Sequence, residues 1–373
     1  MADYQLTLRT AKGALLGLLG SPIQMTISLV EGGVGVLDIL LPPTFDNLLF
    51  GDDDLLLDNR IEVGRRVGTG PYKLLADAVW FTEYGEQLYG SQRLTRILAS
   101  HANVLLKRKI VAYNSGSSQA DKSALTADNV MKDIVDENLG AAATNGDRNL
   151  STYLSIAADL TAGQLVSKAF ARRNVLLVLQ ELAQASANLG TYVTFDIVST
   201  GTTTLEFRTY TGQRGIDHRD PGGNPPLKVG PAYGNLTNAK IVFDHLGEIT
   251  YVSAGGQGEG SARVVGAGSE PLRLNSGPFR LIEYFADSRT SSDATQLNDE
   301  ANAVVRTLRP LIYVTGELQD TRGFNFGLDY EWGDYITAVV GKWVVDCRLS
   351  SMTISLQDGK ETIRAALRGE LQL

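Results

Sequence analysis

Apolar residues recur at every second position through much of this chain, most regularly near its C-terminus. From Glu361 onward, Ile363, Ala365, Leu367, Gly369, Leu371 and Leu373 share one face, and Thr362, Arg364, Arg368, Glu370 and Gln372 share the other. A period of two is that of a strand. At about 3.3 Å per residue the run reaches roughly 40 Å, well past the usual length of about 17–20 Å, so a coiled or barrel-like sheet is expected. The preceding run sets Trp343, Val345, Cys347 and Leu349 on one face and then changes parity to Met352, Ile354 and Leu356. A one-residue change of phase predicts a β-bulge at Ser350-Ser351. Asp358-Gly359 and Gly341-Lys342 are tight-turn pairs, and Trp332-Gly333-Asp334 precedes a strand from Tyr335 to Val340. Together these predict a three-stranded meander. A chain that closes on such strands, with no catalytic module after them, leans towards scaffolding.

The same alternation marks the first third. Met1 to Thr10 reads as a strand, followed by Met25-Ile27-Leu29, Val36 to Leu41, Arg60 to Arg66 and Leu74 to Phe81, with a further strand and short helix within Leu88 to Tyr113. The middle changes period. Thr126 to Leu139 carries a helical stripe of Val130, Met131, Ile134, Val135 and Leu139, with Gly140 placed for a left-handed C-terminal cap. Asn174 is positioned to cap a second helix from Val175 to Asn188, ended by Gly190. Strands Tyr192–Val198 and Thr204–Tyr210 then form a hairpin. Gly212 to Gly234 reads as an ordered loop, Ala239–Phe243, Ile249–Ser253 and Ala262–Val265 as strands, and Thr295–Leu308 as a helix stopped by Pro310. The fold class expected is α+β, mainly β. Residues 1–114 form an N-terminal β-barrel unit, 115–245 an α+β middle opened by the polar Gly116-Ser117-Ser118 linker, and 246–373 a C-terminal β-barrel unit with a helical insertion near 270–316.

Composition excludes several classes. With 373 residues, 43% of them hydrophobic, the chain is long enough for two or three packed units. A net charge of −8 argues against a surface that grips nucleic acid through its phosphates. One cysteine, Cys347, rules out an intrachain disulfide; it lies on an apolar strand face and is read as core. Neither a signal peptide nor a spanning segment stands out, and the apolar run Leu15–Leu19 is too short to cross a bilayer, so no membrane insertion is expected.

Candidate chemistry is sparse. The run Gly255-Gly256-Gln257-Gly258-Glu259-Gly260 has Ser261 where a dinucleotide loop needs glycine, and no Gly-Lys-Ser/Thr occurs, so a strand turn is the better reading. His101, His218 and His245 have no metal-ligand spacing. Asp217-His218-Arg219-Asp220 has the residue types of an acid–base or metal site, though in a polar loop it reads first as a hydrogen-bonded turn. No Gly-x-Ser-x-Gly elbow is present. The run Asp52-Asp53-Asp54 lacks the spacing of a calcium loop and reads as solvated acids or the lining of an electronegative opening. No catalytic residue, cofactor or metal is therefore expected.

One ordered set of segments is familiar. Arg60-Ile61-Glu62-Val63, Leu105-Leu106-Lys107-Arg108-Lys109-Ile110-Val111, Thr126-Ala127-Asp128-Asn129-Val130-Met131-Lys132, Gly234-Asn235-Leu236, Gly255-Gly256-Gln257-Gly258 and Tyr330-Glu331-Trp332-Gly333-Asp334 together resemble a siphophage tail-hub (tail-tip or baseplate hub) family of long-tailed bacteriophages, over essentially the whole chain. The resemblance implies a homotrimer with two tube-type barrels per subunit, a ring of six barrels stacked on a hexameric tail tube. It implies a virion protein of the tail tip, assembled in the host bacterial cytoplasm. Its partners would be a distal tail or tube protein, a tape-measure protein and a central fibre or spike. Double-stranded DNA would pass the channel without specific binding, and Asp52, Asp53 and Asp54 are the candidate channel-facing acids. No sequence repeat between the two ends is visible. Two other readings stay open: the hub of a contractile tail or injection particle, and a β-rich carbohydrate-binding or carbohydrate-active protein with an aromatic groove.

Overall fold

The computed structural model describes residues 2–42, 58–89, 92–112, 119–143, 146–219, 224–289 and 291–370. The N-terminal strands are β1 (Ala2–Arg9), β2 (Leu15–Leu19), β3 (Gln24–Val30), β4 (Val36–Leu41), β5 (Arg60–Val67), β6 (Lys73–Tyr89) and β7 (Gln92–His101), closed by helix α1 (Val104–Lys107). The middle contains β8 (Ala120–Thr126), α2 (Ala127–Leu139), β9 (Leu154–Ile156), β10 (Leu165–Phe170), α3 (Val175–Asn188), β11 (Val193–Ser199) and β12 (Leu205–Thr211). There follow β13 (Lys228–Val229), β14 (Leu236–Asp244), β15 (Tyr251–Gly255), β16 (Val265–Ser269), α4 (Pro271–Leu274), β17 (Glu283–Asp287), α5 (Ala294–Thr307), β18 (Leu311–Leu318), β19 (Tyr335–Val340), β20 (Trp343–Gln357) and β21 (Lys360–Glu370).

The mainly β character expected from the alternation is present, and the two β-rich ends are joined. Eleven strands run in the order β14-β18-β21-β20-β3-β4-β7-β6-β5-β1-β2, with β19 and β13 attached beside β20. The junction is antiparallel pairing of β3 with β20, from Gln24 opposite Gln357 to Val30 opposite Ser351. Met25, Ile27 and Leu29 face Leu356, Ile354 and Met352 across it, and all six are buried. Side chains from both ends fill one hydrophobic core. Among the described residues the sheet does not close into a barrel: β2 and β14 each pair along one side only. The expected boundary at 114/115 lies outside the described residues, and β14, assigned by sequence to the middle unit, pairs with β18 in the main sheet.

The parity change predicted at Ser350-Ser351 is a register shift between Leu349 and Ser351 in the β20–β21 pairing. It has a topological role as well. Before it, Trp343 to Arg348 pair with β19; after it, Ser351 to Gln357 pair with β3. β20 is thus handed from one neighbour to another at its bulge while β21 follows the other side from Cys347 to Gln357. The extra residue restores the apolar face to the core after the bend.

The middle has its own core. Helices α2 and α3 pack with the β9-β12-β11 sheet, burying Val130, Ile134, Val178, Leu179, Phe195 and Phe207. Asn174 caps α3 as expected: its side chain accepts from the Leu177 amide at 3.3 Å and its amide donates to the Lys107 carbonyl at 2.6 Å. Gly140 ends α2 differently from the expectation. Its backbone is extended, at φ −93° and ψ −159°, and a Cβ there would lie 2.1 Å from Asp136 Oδ1. Glycine is needed for that close approach.

A third, small core joins β16-β15-β17 to α5 through Val252, Ala254, Leu297, Ala301 and Val305. The expected strand Ala262–Val265 is displaced: Gly260–Ala262 is a 3-10 turn and the strand is Val265–Ser269. The predicted helix at 295–308 is α5, capped by Asp293, whose carboxylate accepts from the Thr295 amide at 2.8 Å.

Candidate assembly surfaces and the junction cavity

The sequence candidates for chemistry are built into the fold as ties. His101 is buried beside Trp80, its Nε2 3.6 Å from Asp196 Oδ1, and burial lowers its pKa, which favours the neutral ring. His218 sits with Nδ1 3.0 Å from the Pro225 carbonyl and Nε2 3.4 Å from Asp334 Oδ2. His245 contacts Glu248 at 2.8 Å, and Glu248 also holds Arg280 at 2.5 Å. Asp217 is bonded to Arg219 in its own loop; Asp220 lies outside the described residues. Cys347 is buried, and desolvation pushes its thiol up to about 12. In the glycine run, Gly256 donates to the Val264 carbonyl at 2.8 Å, a Cβ on it would meet the Ser291 carbonyl at 2.4 Å, and Gly258 has φ +95°. That is a strand turn under close backbone contact. Asp52, Asp53 and Asp54 lie outside the described residues. Among the described residues, no three His, Cys, Asp or Glu side chains converge in a way that could hold a metal ion, and no helix is long and apolar enough to cross a membrane.

The segment Tyr330 to Asp334 locks three parts of the chain together. Gly333 has φ +89° and lies so close to Arg214 that a Cβ would be 2.7 Å from the arginine Cβ. This lets the Arg214 guanidinium lie over the Trp332 ring at 4.1 Å while its Nε donates to Asp196 at 2.8 Å. Asp334 accepts from the amides of Ile216 at 2.7 Å and Glu331 at 2.8 Å. Burial raises the Asp334 pKa, opposed by those two amides. On the opposite flank, Arg65 of β5 reaches β21: Nε and Nη2 each donate to Glu361 at 2.8 Å, and Nη2 donates to Asp320 at 2.9 Å. This two-pronged pair fastens the N-terminal strands to the C-terminal ones.

A cavity of about 380 Å³ lies where the three parts meet. One wall is apolar, formed by Val30, Ala183, Ala187 and Phe195; another carries Arg309, Arg348 and Arg368. Arg348 and Arg368 stand directly opposite each other on β20 and β21, and the floor is the Ser350-Ser351 bulge. Glu31 is the one acid lining the space among the described residues. Its amide donates to the Ser350 carbonyl at 3.0 Å. The Tyr192 hydroxyl approaches its carboxylate, yet neither oxygen meets hydrogen-bond geometry. Desolvation raises the Glu31 pKa to about 7. Sequence reasoning passed over this site because its residues come from six elements, β3, α3, β11, β18, β20 and β21, spread along the chain.

Outward-facing features are of two kinds. The free edge of β2 carries Leu15, Leu16 and Leu18, with Leu15 62% exposed. Between α4 and β17 a second set of apolar side chains is exposed, namely Leu272, Phe279, Leu281, Tyr284 and Phe285, with Phe279 at 90%. Exposed apolar surface at an unpaired edge is an association surface unless it is blunted.

Solved structures share this fold. The tail protein from Neisseria meningitidis MC58 superimposes with a TM-score of 0.61 at 11% identity, covering 99% of this chain and 97% of that one. The 43 kDa tail protein of prophage MuSo2 from Shewanella oneidensis gives 0.62 at 10% identity, covering 97% and 98%. Prophage tail protein gp18 from Listeria monocytogenes EGD-e gives 0.53 at 10% identity, covering 99% and 95%. At such identities the likeness is one of fold. Comparison with curated protein sequences finds no significant match. The model of the Siphovirus ReqiPepy6 Gp37-like protein family matches residues 89–367, three quarters of the sequence, and the chain belongs to that family.

Proposed function

We propose that this protein is a structural hub at the distal end of a long phage tail. It forms a trimeric ring that joins the hexameric tail tube to the tail tip and gates or passes the DNA. The carrying observation is the main sheet. It is continuous from end to end of the fold, held by one core and by the Arg65–Glu361 tie, and among the described residues its eleven-strand path finishes in two open edges, β2 and β14, with β13 ending the side branch. Copies arranged head to tail bring β2 of one against β14 of the next, and a rotation that closes makes a ring in which neither of those two edges is left free. The family membership and the shared fold of phage tail proteins support the same reading.

In this reading residues 1–114 and 246–373 supply two tube-type barrels once neighbours complete them, and 115–245 buttresses the ring except for β14, which lies at its joining edge. The contacts made are with a distal tail or tube protein, a tape-measure protein and a central fibre or spike. Asp52, Asp53 and Asp54 face the channel, where negative charge keeps passing DNA from adhering. The protein acts without catalysis, in the virion tail tip, after assembly in the host cytoplasm. Mass photometry of the purified chain and electron cryomicroscopy of the intact particle test this. A threefold ring between tube and tip is the expected result; a stable monomer in assembled particles refutes it. Accompanying sheath proteins would move the assignment to a contractile particle, and glycan-array binding by the isolated chain would favour carbohydrate recognition.

A further inference from the structure

We propose that the junction cavity between the β20 bulge, α3 and the Val30–Gly32 turn is a binding site for a small anionic compound, a phosphate or carboxylate carried on an apolar body. The first reason is charge. Arg348 and Arg368 are directly opposed across β20 and β21, a like-charge pairing that destabilises a sheet unless a counter-charge lies between them, and Arg309 lines the same space. Among the described residues that line the cavity, three guanidiniums, those of Arg309, Arg348 and Arg368, face one carboxylate, that of Glu31.

The second reason is that one guanidinium of this wall is held in place. Arg348 is held by donation from Nε to the Gly212 carbonyl at 2.6 Å and lies over the Tyr192 and Tyr335 rings at 4.0 and 4.5 Å. Tyr313 stands opposite Arg368 on β18 and shares the lining. A guanidinium fork held beside tyrosine side chains matches the oxygen geometry of phosphate and carboxylate. The third reason is shape. About 380 Å³ is within the range of small-molecule pockets, and the opposite wall of Val30, Ala183, Ala187 and Phe195 accepts an apolar body.

Isothermal titration calorimetry and thermal unfolding with phenyl phosphate test the site, with inorganic phosphate as the body-less probe and sodium chloride at matched ionic strength as the control. Phenyl phosphate is expected to bind saturably at one site per chain and to raise Tm; inorganic phosphate is expected to do so more weakly. Arg368→Gln should keep or raise the ligand-free Tm, because it relieves the opposed pair, and should weaken phenyl phosphate by about tenfold or more. Arg368→Lys should fall between. Glu31→Gln should tighten binding, since it removes the one acid facing the ligand. No response beyond the chloride control from either probe overturns the proposal. So does a lower ligand-free Tm for Arg368→Gln with unchanged probe binding, which assigns Arg368 to holding the fold.

Discussion

Glu31→Gln offers a direct test of how the junction is balanced. Glu31 sits on the turn after β3, both carboxylate oxygens removed from solvent and outside hydrogen-bond geometry. Its pKa moves from 4.5 to about 7, chiefly through desolvation; Tyr192, Arg348 and Arg214 oppose the shift and Asp196 reinforces it, with Arg309 and Arg368 on the cavity wall. At about 1.4 kcal/mol per pK unit, the ionised carboxylate costs the fold about 3 kcal/mol at pH 8. The sign follows from proton counts. Between pH 4.5 and 7 the folded chain holds this proton more tightly than the unfolded one, so the Glu31 contribution to stability falls as pH rises through that window. Below 4.5 both states are protonated and the penalty vanishes. Glutamine keeps the shape without the charge, so urea unfolding should show the variant about 3 kcal/mol more stable than the parent at pH 8 and nearly equal near pH 4.5. A variant less stable at pH 8 refutes the reasoning, because Glu31 would then be the working counter-ion of Arg348.

Other perturbations probe the ties. Arg65→Met leaves Glu361 and Asp320 without their shared cation and should cost about 3–5 kcal/mol in chemical denaturation; Arg65→Lys should recover only part, because the two-pronged geometry is lost. Deleting Ser350 removes the extra residue of the bulge and leaves Leu349, Met352, Ile354 and Leu356 in one alternating phase, so that variant should still fold, whereas inserting one residue between Met352 and Thr353 turns Ile354 and Leu356 away from the core and should yield insoluble or molten protein by near-UV circular dichroism. Gly333→Ala places a Cβ at positive φ against Arg214 and should cost about 1–3 kcal/mol in thermal unfolding, with loss of fluorescence asymmetry from Trp332. Cys347, buried with its thiol pKa near 12, should resist a thiol-specific disulfide reagent until the chain unfolds.

Strand alternation carried much of this fold into view. The parity change at Ser350 marked the bulge because one face of β20 is buried on both sides of it, and Asn174 marked the start of α3 because capping is local chemistry. Long-range consequences were hidden. Nothing near Met25 or Ile354 says that β3 and β20 are neighbours, so two separate β-rich ends were expected where one sheet joins them. β16 was displaced in the reading because its inward positions are Gly266 and Gly268, pressed against the backbone of α5 at 2.6 and 2.5 Å from where a Cβ would stand. A strand that buries glycine gives no hydrophobic period. The junction cavity was missed for a related reason: opposed arginines are visible only once the register of β20 and β21 is known.

The pairing of β3 with β20 also sets a schedule. Ile27 meets Ile354 across more than three hundred residues of chain. At ribosomal speeds of about 5–20 residues per second, β3 waits roughly 15–65 seconds for its partner to be made. During that interval its hydrogen-bonding edge and the apolar face of Met25, Ile27 and Leu29 are incompletely covered, which invites mispairing between nascent chains on one message. Such a chain gains from a chaperone or from slow release, and polysome density is then a handle on its yield.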